Sequence, residues 1–286
     1  MKLKDQSVRE REIRKCSGHH TVATQDLLAV EEPLEIRLSY SSAGNRAVKC
    51  ISVTMRTPGA DADLAAGFLF TEGIVHRAAE LESFGGIAPA GNVITIALQE
   101  GVGFDPEKLD RHFYTTSSCG VCGKTSIEAL KTAVPCAAPS NQAGPAIDPA
   151  LIYTLPDTLR RAQDTFDATG GLHAAALFDL AGNLLAIRED VGRHNALDKL
   201  IGHFFLQNNV PLDRHILLLS GRASFELIQK AAIAGIRVVW AVRAPSSHAL
   251  ETAESFGITL VGFLRDNRFN IYSGFSDLSF TNNTHS

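Results

Sequence analysis

The sequence lacks several features that would each mark a protein class. No apolar run approaches the ~20 residues that cross a bilayer. The opening stretch MKLKDQSVREREIRK mixes both signs of charge and has no apolar segment of the secretory kind. Cysteine is scarce: there are five, an odd count without framework spacing, which argues against a disulfide-built secreted fold. A cationic surplus is missing too, since the net charge is -4, so no global electrostatic case for nucleic-acid binding arises. Repeats and low-complexity tracts are absent. These gaps together describe a reduced, cytoplasmic, soluble protein with no nucleic acid and no membrane as partner. What is present, 286 residues of which 45% are hydrophobic, suffices for a sizeable core and two domains.

In chain order, residues 1–20 read as a mobile arm, with His19 and His20 as surface residues. A small α+β unit follows over 21–112. Leu34-Glu35-Ile36-Arg37-Leu38 alternates apolar and charged residues as a half-buried strand does, and 48–53 reads as its hairpin partner. Cys50 lies in that second strand, where core packing is the expected role. Thr57-Pro58-Gly59 turns into a helix with Leu64, Phe68 and Leu69 at helical spacing and Gly73 as its stop; 92–99 is another strand. Residues 113–150 hold a cysteine loop, a helix start and a linker over 135–149, in which Cys136 is an incidental thiol. From 151 to 286, helices over 158–166, 195–208, 225–234 and 248–256 are interleaved with strands over 172–178, 184–188, 215–219, 237–242 and 259–263. That alternation predicts a largely parallel sheet covered on both faces and preceded by one hairpin.

The cysteine loop, TTSSCGVCGK at 115–124, is the candidate reactive centre. Cys119 and Cys122 bracket two small residues, and the segment at 126–130 reads as a helix start. A thiol just before a helix N-terminus, with Lys124 beside it, is pushed toward the nucleophilic thiolate. The same spacing also suits half of a zinc site, a thioredoxin-like pair, or two incidental thiols. Zinc requires four ligands, so Cys136, His112 or His173 would have to complete the set; a thioredoxin module would place its pair after a strand, whereas the residues before Cys119 are polar.

Three strand-to-helix junctions carry a second theme: Glu189-Asp190-Val191-Gly192-Arg193-His194, Ser220-Gly221-Arg222-Ala223-Ser224, and Arg243-Ala244-Pro245-Ser246-Ser247. In an open α/β sheet such junctions share the edge at the carboxyl ends of the strands, where ligands bind. Each supplies an arginine ahead of a helix N-terminus, and both features suit a phosphate. Phe263-Leu264-Arg265-Asp266-Asn267-Arg268 adds two more arginines at the end of the last predicted strand. A phosphorylated ligand, such as a nucleotide, is the expectation.

Several of these stretches together resemble one family, the formate dehydrogenase accessory sulfurtransferases (FdhD). They are EEPLEIRL at 31–38, TPGADADLAAGFLFTEGI at 57–74, SSCGVCG at 117–123, EDVGRHNALDKLIG at 189–202, SGRASFELIQKAAIAGI at 220–236, AVRAPSSHALETAE at 241–254 and LVGFLRDNRFNIYS at 260–273. The resemblance implies a carrier that takes sulfur as a persulfide from a cysteine desulfurase of the IscS type. It implies delivery of that sulfur to the molybdenum (or tungsten) bis-molybdopterin guanine dinucleotide cofactor, bound as substrate, before insertion into formate dehydrogenase. Cys119 matches the persulfide-carrying position and Cys122 its neighbour, whose role as resolving, relay or assisting thiol stays open. The segment 263–268 matches the cofactor-binding stretch; Ser220, Gly221, Arg222 and Arg243 join it through the junction argument above. The implied fold is a cytidine-deaminase-like three-layer α/β core with a smaller α+β N-terminal domain, as a homodimer. Zinc deaminases place a His-x-Glu and a Pro-Cys-x-x-Cys at two helix starts. Here the corresponding junctions are His194-Asn195-Ala196 and 220–224, which lack the glutamate and both cysteines, so no zinc is expected.

Overall fold

The computed structural model describes residues 6–42, 44–85, 91–106, 147–265 and 268–275, the side chains of Pro149 and Arg265 excepted. The cysteine loop, with Cys119, Cys122 and Lys124, lies outside the described residues, as do His112, Cys136, the helix start at 126–130 and nearly all of the expected linker.

The first element among the described residues is a ribbon. Strand β1 (Val8–Ser17) pairs with β2 (His20–Ala29) from Val8↔Ala29 to Ser17↔His20, around a turn in which Gly18 has φ 58. Over residues 8–20 the expected mobile arm is corrected to a paired ribbon, whose register sets Arg11 opposite Asp26 and Ile13 opposite Thr24.

A four-stranded sheet follows in the order β4-β3-β6-β5, with β3 (Glu32–Ser42), β4 (Asn45–Arg56), β5 (Leu81–Gly85) and β6 (Val93–Leu98). Alternation in β3 buries Leu34, Ile36, Leu38 and Tyr40. The partner strand carries a bulge: Ile36 faces Ser52, whereas Arg37 faces Cys50. The extra residue, Ile51, turns inward and leaves Cys50 exposed, so the core role expected of Cys50 is corrected.

Helix α1 (Asp61–Thr71) leads from this sheet to the larger layer. Its start is fixed by the buried Arg56, whose guanidinium forks onto Asp61 with Nε–Oδ1 at 3.0 Å. Along it, Gly67 meets Gly202 backbone to backbone: a Cβ on Gly67 would lie 1.9 Å from the Asp198 carbonyl oxygen.

The larger layer comprises α2 (Pro149–Ala162), α3 (Asp164–Thr169), β7 (His173–Asp179), β8 (Leu184–Asp190), α4 (Arg193–Leu206), β9 (His215–Leu219), α5 (Phe225–Ile233), β10 (Val238–Ala241), α6 (Ser247–Ser255), β11 (Thr259–Arg265) and β12 (Arg268–Ser273). Its sheet has the order β12-β11-β10-β9-β7-β8. Strands β8, β9, β10 and β11 all run the same way; β7 runs against them between β8 and β9, and β12 runs against β11 at the edge. The expected parallel strands and the hairpin before them are present, with two additions: β7 sits between β8 and β9, and β12 extends the edge antiparallel. Connection length sets these directions: α4, α5 and α6 allow parallel crossovers, whereas β7 returns into β8 through a turn clamped by Asp179, which accepts from the backbone N–H groups of Ala181 and Asn183. The helix expected over 158–166 is two helices that part at Gln163.

Both faces of this sheet are covered. Ala174, Ala176, Phe178 and Trp240 pack under Ile152, Leu155 and Leu159 of α2. Ala175, Leu177 and Val239 pack on the other face with α4, α5 and α6, in a core that continues through Leu64 and Leu69 of α1 to Ile36 and Leu38.

Candidate functional site

Strand direction decides what meets at one edge. The carboxyl ends of β9 and β10 stand beside the first residue of β7, because β7 runs the opposite way, and His173 pairs with Asp190 at the end of β8. The turn after β9 is locked there: the Ala174 N–H donates to Ser220 Oγ at 2.8 Å, and the Ser220 N–H donates to the Ala174 carbonyl at 3.0 Å. After β10, the Arg243 N–H donates to the Gly221 carbonyl, and Ser246 accepts from Ala249 to cap α6. At the end of β11, Phe263 has φ 56, and a register shift separates Gly262 from Arg265. Left-handed backbone without glycine costs about 1–2 kcal/mol and commonly marks functional strand ends.

Between these junctions and α2 lies a cavity of about 1080 Å³. Arg193, Ser220, Gly221, Arg222 and Arg243 line it from the junctions, Leu264 and Arg268 from β11 and β12, and His173 from β7. The facing wall is one side of α2, with Tyr153, Asp157 and Arg160 at helical spacing, continued by Gln163 and Phe166. Phe166 is held in place by Glu189, whose carboxylate accepts from the backbone N–H groups of Thr165 and Phe166.

The cavity is electropositive and incompletely paired. Arg193, Arg222, Arg243 and Arg268 make no ion pair with a carboxylate among the described residues, and Arg193 Nε is buried without a hydrogen-bond partner there. Gln163 is 4% exposed, and its Nε2 likewise has no partner. Burial, followed by the charges of Arg193, Arg243 and His194, holds the His173 imidazole below its ordinary value, so it is neutral at neutral pH. Buried donors without acceptors cost free energy, and a ligand rich in oxygen atoms would satisfy them.

The second helix-start pair also meets. His194 Nε2 lies 3.4 Å from Ser224 Oγ and 3.5 Å from Glu226 Oε2. Burial pushes the Glu226 carboxyl up, but hydrogen bonds from His194, its own backbone N–H and Ser224 outweigh it and bring the group down to about 2. Among the described residues no group of three or more His, Cys, Asp or Glu side chains is placed to hold a metal ion.

Of the residues singled out from sequence, Ser220, Gly221, Arg222, Arg243, Leu264 and Arg268 all reach the cavity. Phe263 lies outside its lining, while Asp266, Asn267 and the Arg265 side chain are outside the described set. Sequence reasoning missed the α2 wall and His173 as cavity residues. The signal for the wall was available, since Tyr153, Asp157 and Arg160 repeat on one helical face, but ligand residues were sought only at strand ends.

Fold and site together define an α/β protein with an arginine-lined cavity at the carboxyl edge of its larger sheet. The FdhD/NarQ family model matches residues 29–279, and the chain belongs to that family. It is 47% identical over 275 residues to the sulfur carrier protein FdhD of Mycolicibacterium paratuberculosis, covering 92% of this chain and 96% of that one. It is 44% identical over 249 residues to the protein of the same name from Picrophilus torridus, covering 87% and 90%. A crystal structure from Desulfotalea psychrophila, provisionally named a formate dehydrogenase accessory protein, superposes with a TM-score of 0.70 over 95% of this chain and 99% of that one. At 21% identity that match is a likeness of fold.

Proposed function

We propose that the protein is a cytoplasmic sulfur carrier for formate dehydrogenase maturation. Cys119 takes the terminal sulfur of a persulfide from a cysteine desulfurase of the IscS type: its thiolate attacks that sulfur, the donor's S–S bond breaks, and the donor cysteine leaves as thiolate. The outer sulfur then goes to the molybdenum (or tungsten) bis-molybdopterin guanine dinucleotide, held as substrate in the cavity before insertion into formate dehydrogenase; its release breaks the S–S bond on Cys119, returns Cys119 as thiolate and takes two electrons, which a reduced metal in that substrate would supply. The names of the relatives support the sulfur-carrying part of this reading. The observation that carries the rest is the cavity edge, where Arg193, Arg222, Arg243 and Arg268 lack carboxylate partners and Arg193 Nε is an orphaned buried donor. Such an edge receives pyrophosphate through guanidinium forks and leaves the metal end of the ligand free for the thiol. The meeting of His194 with Ser224 supports a cytidine-deaminase-like core, because zinc ligands would occupy those two helix starts in a deaminase. Function as a homodimer belongs to the same proposal.

Incubation with desulfurase and cysteine, followed by intact-mass measurement, should add one sulfur, about 32 Da, to the wild type and none to Cys119→Ala. The variant should still bind GDP. A Cys119→Ala protein that activates formate dehydrogenase in cells would overturn the carrier role, and a wild type that gains no sulfur would leave a cofactor chaperone in its place.

A further inference from the structure

Neither sulfur transfer nor ligand binding, as proposed, uses the ribbon of β1 and β2, yet its pleat sorts the charges. Directly opposite residues of an antiparallel pair share a face, and successive residues alternate between faces. Arg9, Arg11 and Lys15 therefore share a face with their partners Leu28, Asp26 and Val22. Glu10, Glu12 and Arg14 fall on the other, together with Val8, Leu27 and Ala29. Those three apolar residues are half-buried, so the acidic face turns toward the body at the ribbon's foot. The basic face looks outward: Val22 is 64% exposed and Leu28 48%, with Arg9, Arg11 and Lys15 exposed between them. Arg9 reaches Glu32 at 3.6 Å, whereas Arg11 and Lys15 make no ion pair with a described residue. Arg9, Arg11 and Leu28 also line a hollow of about 210 Å³ at the foot. That foot stands at the rim of the arginine-lined cavity. There β2 leans on α3, and a Cβ on Gly171, a cavity residue, would lie 3.7 Å from that of Ala29.

We propose that the outward face of the ribbon docks the protein that receives the cavity's ligand, through an acidic surface carrying aliphatic residues. This rests on the proposed function, in which that protein is formate dehydrogenase without its cofactor. Position selects the recipient over the sulfur donor. The donor need reach only Cys119, whereas the recipient must come to the cavity rim, where the ribbon stands. Charge sets the partner's sign, since three cations face outward against Asp26 alone. Val22 and Leu28 then require apolar contacts among the acidic ones. A ribbon of two strands is marginal in water until a face is covered or a strand is added, and its free edges can take such a strand. Nucleic acid and anionic lipid fit less well. Glu10 and Glu12 stand behind the cations, and residues 8–29 include no Phe, Tyr or Trp on which a base could stack.

The test measures binding of the full chain to formate dehydrogenase purified without its cofactor, alongside sulfur loading by intact mass and GDP affinity. Reversal of the face by Arg9→Glu, Arg11→Glu and Lys15→Glu together should weaken the complex about tenfold or more. Wild-type binding should also fall as salt rises. Val22→Ser with Leu28→Ser should weaken the complex by a similar factor at any salt, because that contribution is apolar. Glu10→Gln with Glu12→Gln, on the opposite face, should leave it unchanged, which separates the docking face from folding of the ribbon. Every variant should load sulfur and bind GDP as the wild type does. An unweakened complex in the reversal variant, or an equal loss from both faces, would overturn the proposal. So would a loss of desulfurase binding alone, or binding of phosphatidylserine vesicles or single-stranded DNA in place of the apoprotein. A wild type that loads sulfur and binds GDP but not the apoprotein would overturn it and leave the proposed function standing. Failure to load sulfur would overturn that function, and this inference with it.

Discussion

Helix α4 carries charged residues in two opposite arrangements. In its middle, Asp198 and Lys199 are almost fully buried, and every charge has a partner: Lys230 Nζ stands 3.0 Å from Asp198 and 3.2 Å from Glu72, and Lys199 Nζ stands 2.6 Å from Asp190. Thr71 donates to Asp198, while Lys199 also donates to the Thr57 carbonyl. Thr57, Thr71 and Glu72, at the two ends of α1, are thereby tied to Lys199, Asp198 and Lys230 of the large layer, so this cluster fastens the small sheet's helix to it. One turn earlier, Arg193 faces the cavity with Nε unsatisfied, in company with Arg222 and Arg243. The difference separates a buried cluster in which every ion is paired from an arginine-lined cavity in which one buried guanidinium donor has no acceptor, and under the proposed function the first serves the fold and the second the ligand.

The largest expected effect breaks the fastening. Lys230→Met would leave Asp198 buried with only the Thr71 hydroxyl, and stranding one ion of a buried pair costs about 3–5 kcal/mol. Urea unfolding should show that loss, and a Lys230→Met/Asp198→Leu double variant should recover most of it, since apolar pairs replace buried ions at little net cost. A loss below about 1 kcal/mol in the single variant would erase the distinction drawn between the two clusters. Gly67→Ala tests the same contact by sterics. Its Cβ would lie 1.9 Å from the Asp198 carbonyl and 2.9 Å from the Gly202 nitrogen, so backbone must move, at a cost of about 1–3 kcal/mol or more.

Replacing a receptor charge should do the reverse. Arg222 is exposed and makes no ion pair with a described residue, so Arg222→Ala should leave unfolding within about 0.5 kcal/mol of wild type. GDP affinity should fall about tenfold or more, with a shallower dependence on salt. Arg243→Ala should behave alike. An Arg222 variant that unfolded early yet bound GDP normally would place that arginine among the fastenings instead.

What could be read from the sequence follows the same division. Strand-end arginines were legible because α/β topology sends successive junctions to one edge, and that rule survives the antiparallel course of β7. Helix α1 and its stop at Gly73 were legible from spacing and from the positive φ a glycine supplies, observed at 71°. The ribbon of β1 and β2 was not, because its side chains are mostly exposed on both faces and no apolar alternation marks it. Cys50 misled because one bulge residue, Ile51, reverses the phase of β4. The fastening around Lys199 and Lys230 was invisible for another reason: apart from Lys199–Asp190 its contacts join residues far apart in sequence, so in local pattern both lysines look like ordinary solvated helix charges.

A pair of intermediate character gives the smallest and sharpest test. Glu226 sits at the first turn of α5, 13% exposed, with His194 and Ser224 against it, and its carboxyl is held at about 2 against an ordinary value of 4.5. The folded state therefore binds this proton less readily than the unfolded chain does. Stability from the group is fully present above about 4.5 and is lost as pH falls from there toward about 2. In acid unfolding followed by circular dichroism, Glu226→Gln should flatten that part of the profile and leave the neutral range nearly unchanged. Since Glu226 already has its partners and does not line the cavity, GDP affinity at neutral pH should be unaffected. Loss of nucleotide binding without any change in the acid profile would show that pairing in the static structure does not separate fold from receptor at this helix start.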